Sequence, residues 1–202
     1  MGVASALQRI RAKPCGETFR CPGGALCLDF CNTGQGMRNR DGSEWLADFT
    51  DLLDWLEAAA ALGAEQAGRL KRAAQAAPEA AARLLRRALE LRESLHRMLE
   101  ARAHGHAPAR EDLARLEAEY AQSAAFARLR WEDGRAVWTL DPSTTELAAV
   151  LQPIVRSGAD LLASAALERL RRCGNPTCSW LFIAATRNCR RRWCEMASCG
   201  NV

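Results

Sequence analysis

Residues 169–202 read RLRRCGNPTCSWLFIAATRNCRRRWCEMASCGNV and hold five of the chain's nine cysteines and seven arginines. Four residues separate Cys173 from Cys178, four separate Cys194 from Cys199, and fifteen lie between the pairs. Gly174, Asn175 and Pro176 in the first half, and Gly200 and Asn201 beside the second, suit a chain that folds back to aim two thiols at one point. Tetrahedral zinc takes four soft donors at about 2.3 Å, and two such knuckles supply them. The commoner structural spacing leaves two residues between cysteines, so disulfides and inert thiols remain as alternative readings. Cys189 has no partner at matching spacing and is left outside the shell.

Compartment separates these readings. No run in the 202 residues approaches the eighteen or so apolar residues of a membrane helix. The opening MGVASALQRIRAKP has too short an apolar stretch for a secretory signal. A cytoplasmic location is therefore expected, where clustered cysteines more often bind metal or do redox work than form disulfides. The odd cysteine count also leaves one thiol over from any complete disulfide set.

The basic character belongs to the same end. From Glu168 to Val202 seven Arg stand against two Glu, formally +5 in a chain of +4, so the rest is close to neutral. Two readings of the arginines stand together. A zinc bound by four thiolates carries a formal −2 that neighbouring guanidinium groups neutralise. Alternatively, TRNCRRRWC presents Arg187, Asn188, Arg190, Arg191 and Arg192 as a basic surface, with Trp180 and Trp193 nearby, suited to phosphate contacts.

Further from the cysteines, the Ala-, Leu- and Arg-rich body predicts helices. One has the stripe Phe49, Leu52, Leu53, Leu56 and Ala60, with Thr50 or Ser43 as its cap and Gly63 at its end. A second covers residues 65–76. A long one runs from Pro78 to about Arg102, with Leu84, Leu85, Ala88, Leu91, Leu95, Met98 and Leu99 on one face. Pro108 opens another to about Ser123, and a last long helix is expected from Asp141–Ser143 to about Arg171. FARLRWEDGRAVWTL reads instead as a hairpin turning at Asp133-Gly134. LCLDFC (26–31) alternates with the period of a half-buried strand, followed by a Gly- and Asn-rich loop. The expected class is mainly α with a few short strands (α+β).

LDFCNT places Asp29, Asn32 and Thr33 at the end of that expected strand, with Arg38 and Arg40 in the loop after it. They form either a small polar ligand pocket or a structural set that satisfies turn backbone, Asp29 pairing with an Arg. Cys15, Cys21, Cys27 and Cys31 match no zinc spacing; on a strand Cys27 and Cys31 would stand about 13 Å apart. His96, His104 and His106 lack ligand-spaced partners and are expected at the surface, and the Trp and Leu stripes in the core. No nucleophile with its base, phosphate-binding Gly loop or carboxylate pair appears, so an enzyme is not expected.

At RRCGNPTCSWLF, TRNCRRRWC and the closing CGN the chain resembles the CGNR zinc finger family, whose members join that finger to an N-terminal ABATE domain. GGALCLDFCNT, the Arg-containing loop and DLLDWL carry the ABATE resemblance. The implied organisation is an N-terminal extension (1–20), a helical ABATE-like domain (21–165) and a small four-cysteine finger (168–202). The resemblance implies one structural zinc on Cys173, Cys178, Cys194 and Cys199. It also implies a bacterial transcription regulator linked to stress responses, with Arg187, Asn188, Arg191, Arg192 and Trp193 in the basic segment. The family tolerates other residues where Cys189 stands. Its signature runs Cys-Gly-Asn-Arg into a further basic tail, whereas Val202 follows Asn201 here. A finger short of that tail would keep its metal and bind DNA more weakly, each lost phosphate contact flattening the log-log salt slope by roughly 0.9. Cys178→Ser is expected to melt the finger and leave the helical body largely folded. A zinc-stabilised protein-interaction module and a thiol redox sensor are the alternative functions.

Overall fold

The computed structural model describes residues 23–34, 44–184 and 191–201. Among them are six α-helices: α1 (Leu26–Asn32), α2 (Phe49–Ala58), α3 (Ala64–Ala76), α4 (Pro78–Ala103), α5 (Arg110–Ser123) and α6 (Gln152–Leu162). Two antiparallel pairs complete the described fold, β1 (Ala127–Glu132) with β2 (Arg135–Leu140), and β3 (Leu170–Arg172) with β4 (Leu181–Ile183). The mainly helical α+β class read from the sequence is the one observed.

The 26 residues of α4 form the spine, about 39 Å long at ~1.5 Å per residue. Pro78 starts it, where its missing N–H leaves no bond unmade. The stripe from Leu84 to Leu99 is buried as the periodicity predicts, each large side chain contributing roughly 1.5–3 kcal/mol of burial. Helices α1, α2, α3 and α5, together with β3, pack on it, and α6 closes over α1 and α5.

Several local expectations are corrected. LCLDFCN is helical, not a strand: Cys27 to Asn32 are all buried, because α1 is enclosed by α4, α6 and β4. A short helix covered on every side shows no amphipathic period, and its alternating polar residues are met by hydrogen bonds instead of water. Cys27 and Cys31 thus lie one turn apart on a helix, not 13 Å apart on a strand. The cap of α2 is Asp48, in a reciprocal capping box with Asp51; Thr50 lies inside the helix and Ser43 outside the described residues. Its C-terminal turn uses Ala60, at φ 55°, and Gly63 begins α3.

The expected helix over 141–171 is broken into a 3-10 turn (Leu147–Leu151), α6, a second 3-10 turn (Ala165–Arg169) and β3. Pro153 cannot sit inside a longer helix and stands in the first turn of α6 instead. Ser164 then leaves helical geometry while its hydroxyl donates to Leu161 O. The Asp133-Gly134 turn is as read: both residues have positive φ, as a two-residue primed turn requires. Trp55 is core, but Trp131 and Trp138 on the hairpin are exposed.

Candidate metal centre

The register Leu170↔Ile183, Arg171↔Phe182, Arg172↔Leu181 makes β3 and β4 the arms of a loop whose tip carries Cys173 and Cys178. Cys173 N donates to Trp180 O (2.8 Å) and Cys178 N to Asn175 O (2.9 Å), which folds the tip back. Asn175 Oδ1 accepts from both the amide and the hydroxyl of Thr177. Opposite, Cys199 lies in a single π-helical turn (Met196–Gly200), its amide bonded to Glu195 O at 3.0 Å. The two halves are clamped by Gly174 N to Arg192 O (2.7 Å) and by Cys194 N to Cys173 Sγ (3.4 Å). A Cβ at position 174 would lie 3.1 Å from that Arg192 oxygen, so glycine allows the close approach.

The result is four buried thiols whose sulfurs all lie within 4.8 Å of one another. Cys178 and Cys194 sulfurs are 3.8 Å apart, and Cys194 and Cys199 3.6 Å. A tetrahedron of sulfurs about 2.3 Å from a central zinc has edges of about 3.8 Å. The disulfide bond, near 2.05 Å, is far shorter, and all six described cysteines are free. The donor set therefore fits one zinc ion and not a disulfide. Crowding separates the protonation of the thiols. The hydrogen bond with Cys194 draws Cys178 down to about 6, while the same bond and burial push Cys194 up. Burial, first of all, also raises Cys199.

The basic segment divides. Arg187, Asn188, Cys189 and Arg190 lie outside the described residues. Arg191 is turned inward: its guanidinium stacks over Phe182 at 4.4 Å and donates to the carbonyls of Trp193 and Cys194. Arg192 is exposed, over the Trp193 ring at 5.4 Å.

The N-terminal candidates meet the finger. Asn32 pairs with the backbone of Leu181 through both halves of its amide, and Asp29 Oδ1 accepts from Gly23 N at 2.9 Å. Ile183 N donates to Gly23 O at 2.8 Å, so Gly23 extends the β4 edge. Arg38 and Arg40 lie outside the described residues, as do Cys15 and Cys21. A separate pocket of about 930 Å³, lined in part by Gln66, Arg130, Trp138, Arg156, Asp160 and Arg169, does not include Asp29 or Asn32.

Two interior polar residues of α4 were not legible in the sequence. His96, expected at the surface, is buried, its Nε2 3.1 Å from Ser179 O beside the Cys178 knuckle. One turn on, Glu100 pairs with Arg172 at 3.1 Å. Arg92, also on α4, is buried with its charge met by Glu44 through two bonds of 2.7 Å, by Glu93 at 2.9 Å and by Thr33 at 3.2 Å. The only signal for either was a polar residue among the Leu of α4. Leu170 and Leu181 belong to the main core, so the cysteine module is seated in the helical body.

No helix among the described residues is long and apolar enough to cross a membrane. No curated protein matches the chain. Residues 169–202 match the CGNR zinc finger family, in which the four-thiol cluster has its place. Residues 24–165 match the ABATE family, described as "Putative stress-induced transcription regulator", which is not an enzyme family. The chain belongs to the ABATE family and carries a CGNR zinc finger behind its ABATE segment.

Proposed function

We propose that the protein is a DNA-binding transcription regulator whose basic finger is held in shape by one structural zinc on Cys173, Cys178, Cys194 and Cys199. The single observation that carries this reading is the convergence of four buried sulfurs within 4.8 Å in a segment of formal charge +5. Four thiolates fill a tetrahedral zinc and leave no position for a substrate water, so the metal would supply folding energy and not catalysis.

The surrounding residues divide the remaining work. Arg191 braces the second knuckle from inside, and its bonds to two carbonyls suit a structural role. Arg192, exposed beside Trp193, contacts phosphate together with Arg187, Asn188 and Arg190. Asp29 and Asn32 act as the joint between body and finger, through Gly23 N and the backbone of Leu181. A small effector, if the ABATE segment takes one, belongs in the 930 Å³ pocket. That pocket touches both α6 and Ile183 of β4, so an occupant would sense the position of the finger.

Zinc content and fluorescence-anisotropy binding to duplex DNA, measured on one sample across salt, test the reading. One zinc per chain with affinity falling steeply as salt rises is the expected result. One zinc without salt-sensitive binding would transfer the function to a protein partner. Zinc ejection by peroxide at low dose would instead favour the thiol sensor.

A further inference from the structure

Helix α5 is built with its polarity reversed. Its buried stripe is Asp112, Leu116, Glu119 and Ser123, so three of the four inward residues are polar. The two carboxylates are met from α4, Asp112 by Arg97 and Glu119 by Arg87, while the Ser123 hydroxyl donates to the Tyr120 carbonyl of α5 itself. Apart from Leu116, the apolar side chains point out, among the exposed Arg110, Glu111, Arg115, Glu117 and Gln122. Leu113 is 41% and Tyr120 44% exposed, with Ala114, Ala118 and Ala121 exposed beside them. A surface helix ordinarily turns its apolar stripe to the core.

The β1–β2 hairpin, which leaves the C-terminal end of α5 through the turn Ala124–Phe126, repeats the reversal. Leu129 faces Trp138 and Trp131 faces Ala136 across the ladder, which puts all four on one side of the hairpin. Leu129 is 58% and Trp131 75% exposed; Trp138 is 49% exposed at the rim of the pocket, with the Arg156 guanidinium 4.8 Å over its ring. Five of the six strongly exposed large hydrophobic residues among the described ones thus lie on α5 and the hairpin.

We propose that the outward apolar residues of α5 and of the hairpin form one homodimer surface, covered by a second copy of the chain across a two-fold axis. Area argues for a protein partner. At about 150–250 Å² per aromatic side chain, Trp131, Trp138 and Tyr120 alone expose roughly 400 Å². That is half of the ~800 Å² per partner in a stable interface, before the two leucines and four alanines are added. Charge separates a second copy from nucleic acid. With Arg115 paired to Glu90 and Arg128 to Asp141, the unit exposes Arg110, Arg130 and Arg135 against Glu111, Glu117, Glu132 and Asp133. Such a face is nearly neutral, so two copies meet without repulsion, whereas a phosphate backbone needs net positive charge. An apolar face is also its own complement, and two-fold closure is the commonest way such a face is used. This inference does not depend on the DNA reading.

Sedimentation velocity of the full zinc-loaded chain from 1 to about 100 µM tests it, at concentrations chosen to bracket ordinary dimer affinities. The wild type should form a reversible dimer. Trp131→Glu on the hairpin and Leu113→Glu on α5 should each weaken it about thirty-fold or more, the loss typical of a central aromatic or aliphatic anchor. Both positions are at the surface, so far-UV circular dichroism and the melting temperature should stay close to wild type; two variants on two elements guard against one failing to fold. A wild type that stays monomeric throughout, or a dimer that survives both substitutions, overturns the proposal. So would unchanged sedimentation with weakened DNA binding in Trp131→Glu, which would assign the face to nucleic acid.

Discussion

Asn32 donates from Nδ2 to Leu181 O and accepts from Leu181 N at Oδ1, both at 3.0 Å, so a side-chain amide on α1 stands in for a neighbouring strand along β4. The bonds join positions 149 residues apart and are buried. With Ile183 N on Gly23 O and His96 on Ser179 O, they seat the cysteine module on the helical body at three points. The finger is thereby positioned by the body as well as by its sulfurs.

Asn32→Leu tests that joint. The substitution keeps the branched shape but strands a buried N–H and C=O on Leu181, at about 1–3 kcal/mol for each group left without a partner. Urea denaturation should show a loss of about 2–4 kcal/mol. A loss under about 0.5 kcal/mol, the lower end for a single hydrogen bond, would mean that water replaces the amide and that the joint is incidental.

Chelation tests how far the metal's influence extends. Leu170 and Leu181 lie in the main core and Ile183 packs against it, so emptying the site should loosen the body too. EDTA, or Cys178→Ser, is expected to lower the melting temperature of the whole helical signal by several degrees, in one transition. Two separate transitions, with the helical one unmoved, would show an independent finger, as the sequence alone suggests.

Acid should weaken the α4–α5 contact. The Arg97 guanidinium, foremost, holds the Asp112 carboxyl below its ordinary value. A carboxyl lowered in the folded state stabilises at pH above its unfolded value and loses that contribution as pH falls through the folded one. Asp112→Asn should therefore cost about 1–2 kcal/mol at about pH 7 and clearly less near pH 2. Urea melts at the two pH values decide it; an equal cost at both would assign the effect to packing.

Ala60 holds φ 55° at the end of α2, in the left-handed region, while Ala61 N closes the turn on Leu56 O at 2.9 Å. Glycine removes the Cβ penalty there. Ala60→Gly should stabilise by about 0.5–1 kcal/mol, against the usual destabilising sign of an Ala to Gly change. Thermal melting gives the sign directly.

Burial pushes Cys27 up to about 12 and Cys31 in the same direction. Neither should react with iodoacetamide at about pH 8 until the chain unfolds, because the thiolate is the nucleophile. Peptide mass spectrometry before and after denaturant reads this out. Labelling of either in the native protein would show that α1 opens locally while the rest stays folded.

Features that rest on local chemistry were legible in the chain. The Leu stripe and Pro78 placed α4, Asp133-Gly134 placed the hairpin turn, and the spacing of Cys173, Cys178, Cys194 and Cys199 marked which thiols come together. Each rests on a period or spacing within one short stretch. Tertiary structure decided the rest. Whether LCLDFCN was strand or helix depended on neighbours that cover all its sides, and those come from the distant elements α4, α6 and β4. His96 and Arg92 became interior groups only because Ser179, Glu44 and Thr33 arrive to satisfy them. A buried polar residue is stable only with its partners in place, and a partner distant in sequence leaves no period to read.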